Sequence, residues 1–392
     1  MFERKLVSQL VNRMQEPRKF IQIVEGPRQT GKTTAVLQAL NKLDIPQHYV
    51  SADDPTLNSL EWIRNEWQRA RLLSKDGDAI LILDELQKIE KWSEMVKLLW
   101  DEDSRNHCPL KVIITGSSAL LLKKGMKESL KGRFEVLYCT HWNYQECKDA
   151  FGYSLDDFLL FGGFPGSSSL IQDEERWVCY MREAIINPTL TQDVMLMDDI
   201  RKPALLDALF ALGSIYSGQE VSYTKLLGQL QDVGNTVTLA HYLDLLSDAG
   251  VITGLQKYAN SPISVRKSSP RLLVYDTSLM SYHYGTNRRS LLNHPAERGH
   301  LVESAIGAYL LARGKEEGFG VYWWRDRSEE VDFVIQKGSS LTALEVKSGR
   351  IKHTGGTLSF KSRYPHALSL IIGSSDVSVE DFLLGKQPLF LE

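Results

Sequence analysis

Along the first 140 residues, short apolar runs alternate with longer stretches whose apolar positions recur at helical spacing. The runs at 20–25, 47–52, 79–84, 111–116 and 134–139 read as strands, and the stretches between them as helices. Strands alternating with helices predict a parallel sheet covered on both faces. The run at 79–83 is apolar at five consecutive positions, as expected of a central strand buried on both sides.

Beyond residue 150 the pattern changes. A helical region over 154–196 is broken by the turn Gly162-Gly163-Phe164-Pro165-Gly166. Ser222 can cap a helix reaching residue 230, and a turn at 232–235 leads to a second helix over 236–249. That helix carries Leu239, Leu243 and Leu246 on one face, and Gly250 stops it. Two strands follow, at 251–258 and 271–276, which together with the helix pair predict a winged helix-turn-helix. From residue 296 a helix to about 313 precedes strands at 320–325, 331–336 and 341–347, a helix near Lys361 and a strand at 368–373. This order predicts a separate small α/β domain. The expected domains are therefore 1–165, 166–295 and 296–392.

Composition narrows the class only a little. Hydrophobic residues make up 43% and charged residues 24%, which argues against disorder and fibrous structure and leaves a globular protein of two or three domains. Formal net charge is −3, and no segment is basic overall, so binding to nucleic acid by bulk charge is not expected. A local basic groove stays open. No apolar run approaches the length of a membrane span, and residues 1–10 have no signal-type apolar core, so a cytoplasmic protein without membrane contact is expected. Cys108, Cys139, Cys147 and Cys179 lack the spacing of a zinc site or disulfide framework and read as reduced thiols.

The first chemistry lies at 26–33, where G-P-R-Q-T-G-K-T follows a predicted strand and opens a predicted helix. Backbone N–H groups of a glycine-rich loop at a helix start make an anion cradle. Gly26, Pro27, Arg28, Gln29, Thr30, Gly31, Lys32, Thr33 and Thr34 would wrap the phosphates of a nucleotide. Lys32 reaches the β- and γ-phosphates, the Thr33 hydroxyl ligates Mg²⁺, and Thr34 meets the α-phosphate. This motif occurs by chance in long chains. Ile80-Leu-Ile-Leu-Asp84-Glu85 supplies the needed second element: Asp84, ending a buried strand, would hold the metal's water shell, and Glu85 would polarise the attacking water. Ser117, or its neighbour Ser118, stands where a sensor of the γ-phosphate would sit. Arg133 lies where an arginine finger would reach a neighbouring subunit's nucleotide, and an ordinary surface arginine is the other possibility. Asn41-Lys-Leu-Asp44 mimics a guanine-recognition motif but precedes Asp84 in the chain, whereas in GTPases it follows the metal-binding aspartate; ATP is expected rather than GTP.

A second constellation lies near the C-terminal end. Glu345-Val346-Lys347 puts a carboxylate and an ammonium on one face of a strand, and Asp332 begins the preceding strand. With Glu303 on the helix before them, three carboxylates would surround one or two Mg²⁺ or Mn²⁺ ions while Lys347 steadies a water. That is the chemistry of metal-dependent phosphodiester hydrolysis. The bland alternative is a solvated charge cluster, or a retained fold used only for binding.

Over nearly its whole length the chain resembles a family of prokaryotic ATP-binding proteins that join an AAA-type ATPase to a winged-helix region and a C-terminal PD-(D/E)XK nuclease-like domain. The features that carry the resemblance are the phosphate loop, Tyr49-Val-Ser-Ala-Asp-Asp54, Leu83-Asp-Glu-Leu-Gln-Lys88, Thr115-Gly-Ser-Ser118, Gly132-Arg133, Gly162-Gly-Phe-Pro165, Glu330-Val-Asp-Phe333 and Glu345-Val-Lys347. It implies nucleotide binding by the N-terminal half and sets Glu303, Asp332, Glu345 and Lys347 on the nuclease motif. The expected fold is thus α/β: a P-loop NTPase parallel sheet flanked by helices, then a winged-helix region and a small PD-(D/E)XK nuclease-like domain. The helix at 236–249 contains no Lys or Arg and two Asp, which disfavours it as a reader of DNA. Lys257, Arg266, Lys267 and Arg271 around the wing remain candidates for nucleic-acid contact. The function expected is a Mg-ATPase, homo-oligomeric with nucleotide, whose nucleotide state controls a nuclease-like domain acting on nucleic acid. The alternative is an ATP-switched regulatory protein whose C-terminal domain cleaves nothing.

Overall fold

The structure, a computed structural model, describes residues 2–53, 59–116, 129–195, 200–230, 235–259, 268–284, 287–348 and 355–390. It divides into two compact units, Met1–Thr140 and His141–Glu392.

In the first unit the elements run α1 (Lys5–Gln15), β1 (Ile21–Glu25), α2 (Lys32–Leu40), β2 (Gln47–Ser51), α3 (Leu60–Leu73), β3 (Ala79–Asp84), α4 (Trp92–Arg105), β4 (Leu110–Gly116) and β5 (Phe134–Tyr138). Among the described residues the five strands form one parallel sheet in the order β2-β3-β4-β1-β5. Side chains alternate between its faces. Ile23, Leu81, Leu83, Val112 and Ile114 pack with Trp62 and Trp67 of α3 and Val96 and Leu99 of α4. Val24, Ile80, Ile82 and Ile113 pack instead with Leu6, Leu10 and Met14 of α1 and Val36 and Ala39 of α2. Burying each such aliphatic side chain contributes about 1.5–3 kcal/mol, so both faces of the apolar run at 79–83 are used. All five strands point their carboxyl ends the same way, and in open parallel sheets ligands bind at that edge.

The second unit opens with α5 (Tyr144–Phe151) and α6 (Leu155–Phe161), each started by a capping box, at Asn143 and at Ser154. The chain is helical again over 174–194, largely in π-turns. Then come α7 (Pro203–Ile215), α8 (Tyr223–Leu230) and α9 (Thr236–Asp248), with Leu239, Leu243 and Leu246 all buried. Strands β6 (Ile252–Leu255) and β7 (Arg271–Val274) pair antiparallel. The long helix α10 (Pro295–Glu317) precedes β8 (Gly320–Asp326), β9 (Glu329–Lys337), β10 (Ser340–Val346), α11 (Gly355–Arg363) and β11 (Leu368–Ile372). The last four strands form a sheet in the order β11-β10-β9-β8, antiparallel except for the parallel pair β10 and β11.

The units differ from the three-part division expected at residues 165 and 295. Tyr144 and Phe158, Leu255 and Leu273 of the hairpin, and Val302, Ile306, Phe333 and Leu344 all belong to one hydrophobic core. The hairpin is also joined to the edge of the β8–β11 sheet: the N–H of Tyr258 donates to the Trp323 carbonyl (2.7 Å), and the N–H of Trp323 to that of Gln256 (3.2 Å). A free wing would leave these backbone groups to water.

Candidate functional site

β1 ends at Glu25, and the loop over 26–31 delivers the chain to the first turn of α2. Gly26 packs so closely on the chain after β5 that a Cβ would lie 2.1 Å from the Cys139 carbonyl oxygen. Gly31 holds φ +89°, a left-handed backbone open to glycine. Thr30 is buried and its hydroxyl donates to the Pro27 carbonyl (2.9 Å), closing the loop. Pro27 and Arg28 are half-buried, and Gln29 and Thr34 are exposed. The first N–H groups of a helix have no intrahelical partner and carry the positive end of its dipole, so this loop is built for an anion.

Lys32 is buried, and its ammonium donates to the carbonyls of Gly26 (3.0 Å) and Pro27 (2.6 Å). These carbonyls satisfy a charge that would otherwise be costly to desolvate. The adjacent Thr33 hydroxyl donates to Asp84 Oδ2 at 3.1 Å, so residues 51 positions apart in the chain meet at the carboxyl edge of the sheet. Asp84 is 3% exposed and heavily hydrogen-bonded. Tyr49, on β2, donates its hydroxyl to Oδ2 (2.6 Å), and the backbone N–H of Glu85 donates to Oδ1 (3.1 Å). The Thr115 hydroxyl also donates to Oδ1. Burial first, then the bond to Asp84, raises the Tyr49 phenol pKa, so it remains a donor. Tyr49 and Thr115 escaped the residue-by-residue reasoning, although both lie within the motifs that carry the family resemblance.

Glu85 has φ +54°, an unusual conformation for a non-glycine residue at a strand end. Its carboxylate accepts a hydrogen bond from Gln87 Nε2 at 2.6 Å. Ser117 and Ser118 lie outside the described residues. Arg133 is at the other edge of the sheet, since Ile21 pairs with Phe134 and the Ile21 N–H donates to the Arg133 carbonyl (2.9 Å). The length of β1, about 16 Å at strand rise, separates it from Gly26. Its guanidinium grips Asp101 with two hydrogen bonds of 2.7 and 3.0 Å, which raises the pKa of one group and lowers that of the other. The structure thus sets Arg133 at the edge of the sheet opposite the phosphate loop.

In the second unit the structure sets Asp332 beside Glu345, because the register pairs Phe333 with Leu344. Asp332 Oδ2 accepts the Val346 N–H (2.7 Å), and Glu345 pairs with Lys347 (2.7 Å) and accepts from the Thr357 hydroxyl (3.3 Å). The surprise is Arg271. One of four basic residues left as candidates for nucleic-acid contact, it is 5% exposed and lies against Glu303 (3.3 Å), Glu330 and Asp332 (3.5 Å). Burial pushes the Glu303 and Asp332 carboxyl pKa values upward against the pull of this guanidinium. Among the described residues no group of three His, Cys, Asp or Glu side chains is disposed to hold a metal ion. Glu303 and Asp332 thus face an arginine, and Glu345 a lysine. Of the other basic residues expected around a wing, Arg266 and Lys267 lie outside the described residues, and Lys257 sits beside Trp323.

Residues 18–148 match the family model described as an AAA domain. With a phosphate loop between β1 and α2 and an aspartate ending β3, the N-terminal part of the chain has the fold of a P-loop NTPase and is similar to AAA domains. Residues 152–290 and 298–383 match two domains of unknown function, DUF8612 and DUF4143. An uncharacterized protein of Methanocaldococcus jannaschii is 25% identical over 336 residues, spanning 80% of this chain and 72% of its own. One from Mycobacterium tuberculosis is 26% identical over 326 residues, spanning 83% and 69%. Among solved structures, the Walker-type ATPase PABY2304 of Pyrococcus abyssi is 16% identical with a TM-score of 0.49, the match covering 72% of this chain and 96% of that one. The Aeropyrum pernix ORC1 protein in complex with DNA is 12% identical with a TM-score of 0.31, covering 73% and 91%. Among the described residues, no helix is long and apolar enough to cross a membrane.

Proposed function

We propose that this protein is a Mg²⁺-dependent ATPase whose nucleotide state switches a C-terminal region of nuclease-like fold that does not itself cleave. The observation that carries the ATPase is the meeting of Thr33 and Asp84 at the carboxyl edge of the sheet, 3.1 Å apart, beside the loop that ends in Lys32. Thr33 and Asp84 would hold a magnesium ion, which when bound supplies charge neutralisation at the phosphates. Lys32 would exchange the carbonyls of Gly26 and Pro27 for phosphate oxygens. Glu85, oriented by Gln87, would take a proton from the attacking water. Arg133 would leave Asp101 to reach the nucleotide of a second copy, and a cytoplasmic homo-oligomer belongs to the same proposal. So does an organisation into an AAA-type domain over 1–165, a helical and winged-helix region over 166–295, and a PD-(D/E)XK nuclease-like domain over 296–392.

The charge on Glu303 and Asp332 is already met by Arg271, which supports the non-cleaving reading. The second reading is a metal-dependent nuclease using Glu303, Asp332 and Glu345 with Lys347, and the closeness of Asp332, Glu345 and Lys347 favours it. Incubation with plasmid and single-stranded DNA in Mg²⁺ or Mn²⁺, beside Asp332→Ala, separates the two. No cleavage is expected from either protein; cleavage by the wild type that the variant loses would select the nuclease.

Tyr49 adds a prediction specific to this chain. Loss of its hydroxyl removes one of the two donors on Asp84 Oδ2 and loosens its orientation, and partners of metal-holding carboxylates typically contribute 10- to 100-fold. Tyr49→Phe should weaken the apparent Mg²⁺ affinity of ATP turnover by about tenfold, with the far-ultraviolet circular dichroism unchanged. A wild-type Mg²⁺ titration curve from this variant would remove Tyr49 from the site.

A further inference from the structure

The Arg271 cluster goes further than an absence of cleavage. Arg271 begins β7, and the hairpin that carries it is fixed to β8 by backbone hydrogen bonds and by the Trp323 indole N–H, which donates to the Leu255 carbonyl at 3.1 Å. The guanidinium is therefore delivered by the fold rather than by a mobile surface side chain. One of its terminal nitrogens, Nη1, lies 3.3 Å from Glu303 Oε1, 3.5 Å from Asp332 Oδ1 and 3.1 Å from the Asp332 carbonyl oxygen. The other, Nη2, donates to Glu330, whose second oxygen takes Arg325 Nε at 3.0 Å.

Carboxylates from α10 and β9 thus converge on a single cationic nitrogen. Glu303 Oε1 is buried, takes no hydrogen bond among the described residues, and faces that nitrogen. Convergent carboxylate and carbonyl oxygens are also the ligands that hard divalent cations take, at about 2.0–2.6 Å rather than the spacing of an N–H donor. A metal ion cannot take the place of Nη1 while the guanidinium holds it, because both would need the same Glu303 and Asp332 oxygens.

We propose that Arg271 is a resident cation whose Nη1 stands where a divalent metal would otherwise bind between Glu303, Asp332 and the Asp332 carbonyl, so that this cluster takes up a metal only when the guanidinium is removed. This rests on the non-cleaving reading above and extends it: the site is closed to metal by one side chain, while its ligands are retained.

The test uses the full chain without nucleotide and Mn²⁺ as the probe, read by the electron paramagnetic resonance signal of free Mn²⁺ and by the thermal midpoint. Arg271→Ala should gain about one Mn²⁺ site per chain, at least roughly tenfold tighter than anything the wild type shows, and Mn²⁺ should raise its midpoint. The gain should vanish in Arg271→Ala/Asp332→Asn. Because Arg271→Ala leaves buried carboxylates unpaired, Arg271→Ala/Glu330→Gln, which removes one charge of each sign, is measured beside it and should show the same gain. A folded variant with no added site, or a wild type that already binds Mn²⁺ through Asp332, would overturn the proposal. DNA cleavage by the wild type is a separate outcome: it would overturn the non-cleaving reading on which the proposal rests. Failure of the Mn²⁺ gain without cleavage would overturn the resident-cation role alone.

Discussion

Lys32→Ala is expected to weaken ATP binding by about 100-fold or more. Charge-assisted hydrogen bonds are worth roughly 1.5–3 kcal/mol each, and the ammonium is positioned to make two to phosphate oxygens; each 1.4 kcal/mol is about tenfold in affinity. The same nitrogen now satisfies the carbonyls of Gly26 and Pro27. Its removal therefore costs the loop itself a little stability as well, which a circular dichroism melt will register as a small shift. The decisive measurement is a titration with a fluorescent ATP analogue at fixed Mg²⁺. Affinity within threefold of the wild type would show that the loop does not grip a nucleotide through Lys32.

Glu85→Gln should behave differently: binding is retained within a few-fold, while turnover falls by about 10²–10⁴, the usual worth of a positioned general base. Glutamine fits the same left-handed backbone no worse than glutamate, and it keeps a side-chain oxygen toward Gln87, so the loss reports on the proton and not on the fold. Turnover at the wild-type rate would refute Glu85 as the base. The variant also holds the ATP-bound form long enough to be weighed. If Arg133 leaves Asp101 for a neighbour's nucleotide, this form should be an oligomer by light scattering, and a strict monomer with and without ATP would end that role.

The two predictions concern the part of the molecule that was most legible in the sequence. A strand, a glycine loop and a helix follow one another at 20–40 with nothing between them, so local backbone chemistry dictates the cradle. The central strands β1, β3 and β4 could be read because a central parallel strand is apolar on both faces and cannot be mistaken for a surface segment. The partners of Asp84 were harder to see. Thr33, Tyr49 and Thr115 come from three different elements, and only the strand order, with β3 between β2 and β4, lines up their polar ends on one carboxylate.

The C-terminal half shows the opposite balance. Strand positions and the lack of basic residues on α9 could be read directly, yet the role of Arg271 could not. In sequence it stands among Lys257, Arg266 and Lys267 and looks like one more cation on a wing. Its partners lie 32, 59 and 61 positions away at Glu303, Glu330 and Asp332. Whether it meets phosphate or carboxylate depends on the hairpin docking along β8, which backbone hydrogen bonds decide and no composition encodes.

By itself, then, the sequence determined the order and type of the elements, the phosphate cradle and the two sets of acidic residues, because periodicity, glycine placement and strand-end chemistry are local properties. The tertiary structure alone decided which charges face each other: Thr33, Tyr49 and Thr115 on Asp84, Arg133 on Asp101 far from its own loop, and Arg271 inside the C-terminal carboxylates. Electrostatic partnership is a matter of a few ångströms and of burial, and those distances exist only once the sheets have closed.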